Sequence, residues 1–279
     1  MEYKSVMKLF RRRVRICVLM VLLVAGAPFA PDAAANSPVI ERIRATKTLR
    51  IGMTGAQPPL NTVNTAGEII GFEAELAHTL ASAMEVKAEI VKTPFQDLLP
   101  RLRSGKLDIV ISGLTITPER NLEVSFVGPY FVSGKSILSR SETMSALQDA
   151  KEINKADVRL VALRGSTSQI FVEEILPKAK LETVADYAEA RTMVLNDKVD
   201  ALIADHPYCL FAVLGDETEQ LVTLEEPFTF EPIGFAVPPN DPQFLNLVQN
   251  FLSMLEGTGA LLDMKERYFT DGDWLDAVH

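Results

Sequence analysis

Hydrophobic and polar positions along this chain follow two different periods, which predicts a fold of alternating strands and helices. Residues 49–53 and 86–90 show the patterns of short strands. Residues 74–84 and 95–102 instead place apolar side chains at helical spacing. The apolar run 108–112 is typical of a strand inside a parallel sheet. This βαβ order predicts an α/β fold.

A second series of the same kind begins after residues 130–134. Its predicted strands are residues 158–163, 199–204 and 232–237. Its predicted helices are residues 168–176, 187–195, 206–213, 242–254 and 260–268. The sequence contains no internal repeat, low-complexity tract or long linker, so the pattern alone leaves one domain or two open.

The first 35 residues are typical of an export signal. A basic segment that includes Lys8 and Arg11 precedes the uncharged stretch 16–31, and Ala33–Ala35 fits a small-residue cleavage site. The apolar stretch is short for a membrane span, which needs about 20 residues. We therefore expect cleavage near Ala35 and a periplasmic mature protein, with an uncleaved anchor as the alternative.

The charge of the mature chain argues against nucleic acid as a partner. Loss of residues 1–35 removes six basic and two acidic side chains from totals of 28 and 37, which leaves a net charge of −13. Such a surface repels nucleic acid and anionic membranes. Only Cys209 remains, so no intramolecular disulfide can form and stability must come from packing.

The most informative stretch is residues 108–120, where an apolar run ends in hydroxyl groups and a glycine. Thr117 and Pro118 then form a helix-start signal, and Arg120 lies one turn into the predicted helix. Hydroxyls, free backbone N–H groups and a guanidinium at one strand end predict a site for a carboxylate. The alternative is a capped helix with a surface arginine.

This stretch also contributes to a family resemblance. The segments that carry it are residues 49–52, 71–77, 98–105, 112–120 and 128–131. In this order and spacing, the chain resembles the amino-acid-binding proteins of bacterial ABC importers, a periplasmic solute-binding family. The resemblance covers essentially all of the chain after the first 40 residues.

The resemblance implies a two-lobed periplasmic-binding-protein fold of type II, with two sheets of parallel type joined by two crossing strands. The first lobe is expected to hold residues 36–132 and 228–279, and the second residues 133–227. Such a protein captures an L-amino acid between closing lobes and delivers it to the membrane subunits of an ABC importer. We expect a monomer without cofactor or enzymatic activity.

The resemblance also implies six contacts to the α-carbon groups of the ligand. Arg120 would pair with the carboxylate, and Thr167 would offer a backbone N–H at a helix start. Asp205 would receive the ammonium. The remaining three would supply carbonyl, N–H and hydroxyl contacts: Ser112, Gly113 and Thr115. The alternative role for Thr167 and Asp205 is helix capping.

Three further residues are expected to contact the ligand side chain. Thr54 stands where many relatives carry an acidic residue, and Gln57 where they carry an aromatic one. Phe95 keeps a second aromatic wall, with a core position as its alternative. A neutral polar ligand fits Thr54 and Gln57 best, since both donate and accept hydrogen bonds. An acidic amino acid stays an open alternative.

Two other classes of function remain as alternatives. Some proteins of this fold resemble cyclohexadienyl dehydratases, which eliminate water from prephenate or arogenate. Those enzymes use a glutamate as general acid at the position where this chain has Gln169. An amide cannot transfer the proton that this step needs. A ligand-sensing adaptor for a separate receptor is the other, and no fused domain is expected after Trp274. The histidines show no metal-ligand spacing, and no phosphate loop or nucleophile motif is present.

Overall fold

Two five-stranded sheets form the framework of the structure, a computed structural model that describes residues 37–271 and residue 274. The predicted export signal, residues 1–35, lies outside the described residues. The strands are β1 Thr48–Met53, β2 Ala56–Gln57, β3 Asn61–Val63, β4 Ile69–Ile70, β5 Lys87–Lys92, β6 Ile109–Val110, β7 Ser125–Ser133, β8 Lys135–Ser139, β9 Arg159–Leu163, β10 Lys180–Val184, β11 Ala201–Asp205, β12 Val222–Thr223 and β13 Glu231–Val237.

The helices lie between and beside these strands. They are α1 Pro38–Thr46, α2 Phe72–Ala83, α3 Leu98–Arg103, α4 Pro118–Asn121, α5 Glu142–Ser145, α6 Thr167–Ile175, α7 Tyr187–Leu195, α8 His206–Leu214, α9 Pro242–Thr258 and α10 Ala260–Glu266. Short 3₁₀ turns cover Phe95–Asp97 and Ala150–Ile153, and a π turn covers Arg267–Asp271. Within the part of the chain that the structure describes, no helix is both long and apolar enough to cross a bilayer.

Each sheet combines parallel and antiparallel pairs. The first sheet has the order β5-β1-β6-β13-β7, with β1 parallel to β5 and β6 and with β13 antiparallel to β6 and β7. The second has the order β10-β9-β11-β8-β12, with β9 parallel to β10 and β11 and with β8 antiparallel to β11 and β12. The strands β2, β3 and β4 form a small antiparallel sheet.

The chain passes between the two large sheets twice, from β7 to β8 and from β12 to β13. The predicted two-lobed α/β fold is therefore confirmed. The lobe boundaries at residues 132/133 and 227/228 stay predictions. The predicted strand 108–112 is shorter than expected, although its pairing continues beyond β6, since the Ile111 N–H donates to the Gly52 carbonyl at 3.1 Å.

Apolar side chains fill three buried clusters. One packs the first sheet against α2 and α9 and includes Phe72 and Phe244, both fully buried. Another draws on both lobes, since it contains Phe95 and Leu98 together with Tyr187. A third lies within the second lobe. The second cluster shows that the lobes meet through apolar surface as well as through the polar groups described below.

The parallel strands direct their carboxyl ends toward the space between the lobes. Thr54 follows β1 and Ser112 lies just beyond β6, while Arg164 follows β9 and Asp205 ends β11. Ligands of open α/β sheets bind beyond the carboxyl ends of the strands. The fold thus brings polar residues that are far apart in sequence to one cleft.

The buried carboxylate of Asp108 joins the start of β6 to β1, and its loss is expected to destabilise the first sheet. Asp108 binds the guanidinium groups of Arg42 and Arg50, the latter at 2.8 Å, and accepts from the Arg50 backbone N–H at 2.7 Å. We expect Asp108→Ala to lower the free energy of unfolding by about 2–3 kcal/mol, because two guanidinium groups and one backbone N–H lose their acceptor. Urea denaturation measures this value.

The matched control is Glu123→Ala, which breaks the solvent-exposed pair between Glu123 and Arg103. That pair is expected to contribute less than about 1 kcal/mol. Equal effects of the two substitutions would contradict the role given to Asp108.

Candidate functional site

Three of the predicted site residues form one buried polar cluster. The Thr54 backbone N–H donates to the Ser112 hydroxyl at 3.0 Å, and that hydroxyl donates to the Gln57 side-chain carbonyl at 3.1 Å. All three side chains are buried. Asn61, which was not predicted, accepts from the Thr54 hydroxyl at 2.9 Å and completes the cluster.

A buried glutamate that the sequence analysis did not assign to the site lies under this cluster. The Glu73 carboxylate accepts from the Gly113 backbone N–H at 2.6 Å, from the Asn61 amide at 2.6 Å and from the Tyr130 hydroxyl. Burial raises the pKa of Glu73 above its ordinary value, and these donors oppose the shift. The Gly113 N–H, predicted to face a ligand, is thus bound by Glu73.

Gly113 has a structural reason to be glycine. Its φ is +56°, in the left-handed region that side chains other than glycine rarely adopt. A Cβ atom at this position would lie 2.6 Å from the amide nitrogen of Gln57. The absence of a side chain therefore leaves room for the Gln57 amide.

Arg120 lies in α4, where the Thr117 hydroxyl caps the helix by accepting from the Arg120 backbone N–H at 3.3 Å. Its guanidinium donates to the Thr115 carbonyl at 3.0 Å and to the Gly165 carbonyl of the other lobe at 3.2 Å. It also lies 5.8 Å from the centre of the Phe95 ring.

The Arg120 guanidinium forms no ion pair with any described residue. Burial lowers the pKa of Arg120, while the charges of Asp205 and Glu231 raise it. A guanidinium has five N–H groups, so three remain after the two bonds to carbonyls. This cation can accept a carboxylate from outside the protein.

Thr167 is the first residue of α6, one position earlier than the predicted helix start. The cap is Ser166, whose hydroxyl accepts from the Gln169 backbone N–H at 3.2 Å. The Thr167 N–H therefore belongs to the free donors of the first turn. The Thr167 hydroxyl lies 3.2 Å from that of Thr115, so this helix start meets the first lobe directly.

Asp205 ends β11, and its carboxylate already has a cationic partner. The Lys135 ammonium, fully buried, lies 2.6 Å from Asp205 and 3.5 Å from Glu231. Asp205 occupies the N-cap position of α8 without a capping side-chain hydrogen bond. The sequence analysis missed Lys135, although its place just after the predicted lobe boundary at residues 132/133 is a signal for a residue near the lobe crossing.

A cavity of about 350 Å³ opens beside Phe95. It brings together the three residues predicted for the ligand side chain, Thr54, Gln57 and Phe95, with Leu163 and Tyr187 of the second lobe. A larger cavity of about 690 Å³ lies near the crossing segments, is lined mainly by apolar side chains and includes none of the predicted site residues. The smaller cavity is therefore the candidate side-chain site.

The side chain of Gln169, which stands where the dehydratases have their glutamate, is held in hydrogen bonds within its own lobe. Its amide carbonyl accepts from the Gly165 N–H at 2.9 Å, and its amide nitrogen donates to Glu173 at 2.8 Å. Both side chains take part in an exposed contact on α6. Among residues 37–271 and 274, no group of His, Cys, Asp and Glu side chains is arranged to hold a metal ion.

Comparison with known proteins connects this geometry to a family. The model of the bacterial extracellular solute-binding proteins, family 3, matches residues 49–271. The ABC transporter arginine-binding protein 1 of Escherichia coli (strain K12) is 26% identical over 230 residues, which are 81% of this chain and 92% of that protein. The ABC transporter glutamine-binding protein GlnH of Bacillus subtilis (strain 168) is 28% identical over 210 residues, 74% and 75% of the two chains.

An enzyme is also among the relatives. The cyclohexadienyl dehydratase of Pseudomonas aeruginosa is 24% identical over 261 residues, 94% of this chain and 95% of the enzyme. Among solved structures, a putative binding component of an ABC transporter from Wolinella succinogenes, complexed with lysine, has a TM-score of 0.78 and 36% identity. That match covers 82% of this chain and 99% of the other.

The buried Glu73 gives a prediction about pH. Because the pKa of Glu73 is raised in the folded state, the folded protein binds this proton more tightly than the unfolded chain does. We expect the wild type to lose stability relative to Glu73→Gln as the pH rises above 4.5 through the folded-state pKa. The loss amounts to about 1.4 kcal/mol for each unit of pKa shift.

Urea denaturation at steps between about pH 4 and pH 8 measures this difference. Glu41→Gln, on the exposed face of α1, is the matched control. A stability difference between wild type and Glu73→Gln that stays constant over this range would contradict the raised pKa.

Proposed function

Because the chain belongs to the bacterial extracellular solute-binding proteins, family 3, we propose that it captures an L-amino acid with a neutral polar side chain and delivers it to an ABC importer. The observation that carries this proposal is the Arg120 guanidinium, which lies between the lobes without a carboxylate partner among the described residues. An α-carboxylate supplies the missing charge and two parallel hydrogen bonds.

The proposed pose uses both lobes. The carboxylate binds Arg120 and the free N–H of Thr167 at the start of α6. The ammonium binds Asp205, whose second oxygen makes no hydrogen bond to a described residue. Lys135 holds the first oxygen, and the set Lys135, Asp205 and Glu231 carries a net charge of −1, which favours an added cation.

The proposed mechanism is lobe closure around the ligand. The amino acid first docks on Arg120 and the Ser112 to Thr115 edge, and the second lobe then adds Thr167 and Asp205 while water leaves. Closure follows binding because the ligand contacts both lobes only in the closed form, so its affinity for that form is higher. The closed surface is what the importer's membrane subunits would recognise. The protein acts in the periplasm as a monomer.

A dehydratase-like activity is the second candidate, because a relative with that activity matches 94% of this chain. The contacts of Gln169 favour the binding role. Its amide carries no ionisable proton, and it is held by Gly165 and Glu173.

The experiment that tests the proposal is a thermal-shift screen of the purified protein against all L-amino acids, prephenate and arogenate. A ligand that binds only the folded state raises the melting temperature. We expect one or a few amino acids to stabilise the protein without being consumed. Conversion of prephenate or arogenate to an aromatic product, with no response to amino acids, would establish the enzyme instead.

Arg120→Ala is expected to weaken binding of the amino acid found in the screen by about 2–5 kcal/mol, because a charged and hydrogen-bonded partner is lost. Isothermal titration calorimetry measures this change. The matched control is Arg140→Ala, which removes an exposed arginine that donates to the Leu195 carbonyl at 3.2 Å. Unchanged affinity of Arg120→Ala would refute the pose.

Asp205→Asn is expected to weaken amino acids much more than their deaminated analogues, because only the amino acid presents an ammonium to this carboxylate. The same calorimetric titrations, run with each amino acid and its deaminated analogue, measure the ratio. The analogue controls for any rearrangement of Lys135. Equal losses for both ligands would remove Asp205 from the ammonium site.

A further inference from the structure

The side-chain cavity contains an amide nitrogen without a partner. Gln57 is 3% exposed, and its carbonyl accepts from the Ser112 hydroxyl at 3.1 Å. That hydroxyl already accepts from the Thr54 backbone N–H, so its own proton needs an acceptor, and the carbonyl supplies one. The structure accordingly places the oxygen of Gln57 toward this hydroxyl. Its NH₂ group has no acceptor among the described residues and lines the cavity.

Asn61 holds this network on the side opposite Ser112. The Asn61 carbonyl accepts from the Gly55 N–H at 2.7 Å, and the Asn61 amide donates to Glu73 at 2.6 Å. The Thr54 hydroxyl donates its single proton to the Asn61 carbonyl at 2.9 Å, the shorter of its two contacts to amide oxygens. As the structure places this amide, its NH₂ group lies on the side of Gly113, where a Cβ atom would come within 2.6 Å of it.

A phenol of the second lobe supplies another free donor. Tyr187 is 2% exposed, lines the same cavity and stacks on Tyr208 with ring centres 4.2 Å apart. Its hydroxyl has no hydrogen-bond partner in the described part of the chain. Burial raises the pKa of Tyr187 well above 10.0, so the group stays a protonated donor. A donor that lines a cavity without a protein partner is available to an acceptor on a ligand.

The charged side chains at this cavity do not favour one sign. Lys92 and Asp186 both line it and both are exposed. One Asp186 oxygen caps α7 by accepting from the Glu189 N–H at 2.9 Å. The buried part of the cavity thus offers neutral donors and aromatic faces, and Asp205, whose charge acts on Tyr187, is paired with Lys135.

Resting on the proposed function, we infer that this cavity selects an L-amino acid whose side chain ends in a hydrogen-bond acceptor, with Gln57 Nε2 and the Tyr187 hydroxyl as its donors. A carboxamide fits best, because a carboxylate would need a cation and Lys92 is balanced by Asp186. Gly113 permits this arrangement, since a side chain there would displace the Gln57 amide.

The first part of the test is calorimetry of the wild-type protein with L-glutamine, L-asparagine, L-glutamate, L-arginine, L-lysine and L-methionine. Methionine has a side chain of similar length to that of glutamine without the amide. Glutamine or asparagine is expected to bind best and methionine at least about tenfold more weakly. Tightest binding of glutamate would overturn the carboxamide as the preferred side chain, because Lys92 would then act as the cation that a carboxylate needs.

Tightest binding of arginine, lysine or methionine would overturn the inference and leave the proposed function standing. Binding of no amino acid would overturn the proposed function, and this inference with it. These outcomes separate a wrong side-chain class from a wrong function.

The second part uses variants that change donors with little change of volume. Gln57→Glu keeps the inward oxygen and replaces the free NH₂ group by an acceptor. We expect it to lose about tenfold or more for glutamine while gaining affinity for lysine or arginine. Tyr187→Phe keeps the stacked ring and should weaken glutamine about tenfold without affecting methionine.

The matched control is Asp186→Asn, which removes the cavity's carboxylate and is expected to leave glutamine binding within about twofold. Equal losses for glutamine and methionine in Tyr187→Phe would show that the hydroxyl acts only on the structure and would overturn its role. If the wild type instead prefers lysine or arginine and Asp186→Asn loses that binding, the Asp186 carboxylate binds a cationic ligand side chain.

Discussion

The buried carboxylate of Glu73 is the interaction on which the rest of the site depends. It joins four parts of the first lobe, because the start of α2 carries the carboxylate and its donors come from Asn61, Gly113 and Tyr130. Without it, three buried donors would lack an acceptor, at a cost of several kcal/mol in total. Asn61 and Gly113 in turn orient the residues that surround the cleft.

The cleft also depends on where its charges are paired. Lys135 is fully buried between two carboxylates, so its own charge is satisfied and the set keeps one negative charge in excess. Arg120 donates only to carbonyls and keeps its positive charge unpaired among the described residues. A zwitterion matches this separation, since each of its charges finds the opposite sign. The same separation disfavours a ligand with two like charges at the α-carbon.

The sequence predicts which segments reach the cleft, because strands of an α/β fold expose their carboxyl ends together. Thr54 and Ser112 are recognisable in this way, and Arg120 follows from the helix-start signal before it. Lys135 cannot be recognised from the sequence, because its partner Asp205 is 70 residues away and the two meet only through the antiparallel register of β8 and β11. The inward turn of the Gln57 amide also escapes prediction, since it depends on the proton of a neighbouring hydroxyl.

The donors at the side-chain cavity connect recognition of the ligand to closure of the lobes. In the arrangement described here the lobes touch, with the Thr115 and Thr167 hydroxyls 3.2 Å apart and Arg120 bonded across to Gly165. The Gln57 NH₂ group and the Tyr187 hydroxyl then line the same cavity without a hydrogen-bond partner among the described residues. One belongs to the first lobe and the other to the second, so a ligand side chain can accept from both only when the lobes are closed. Such a ligand couples recognition of its side chain to the position of the lobes.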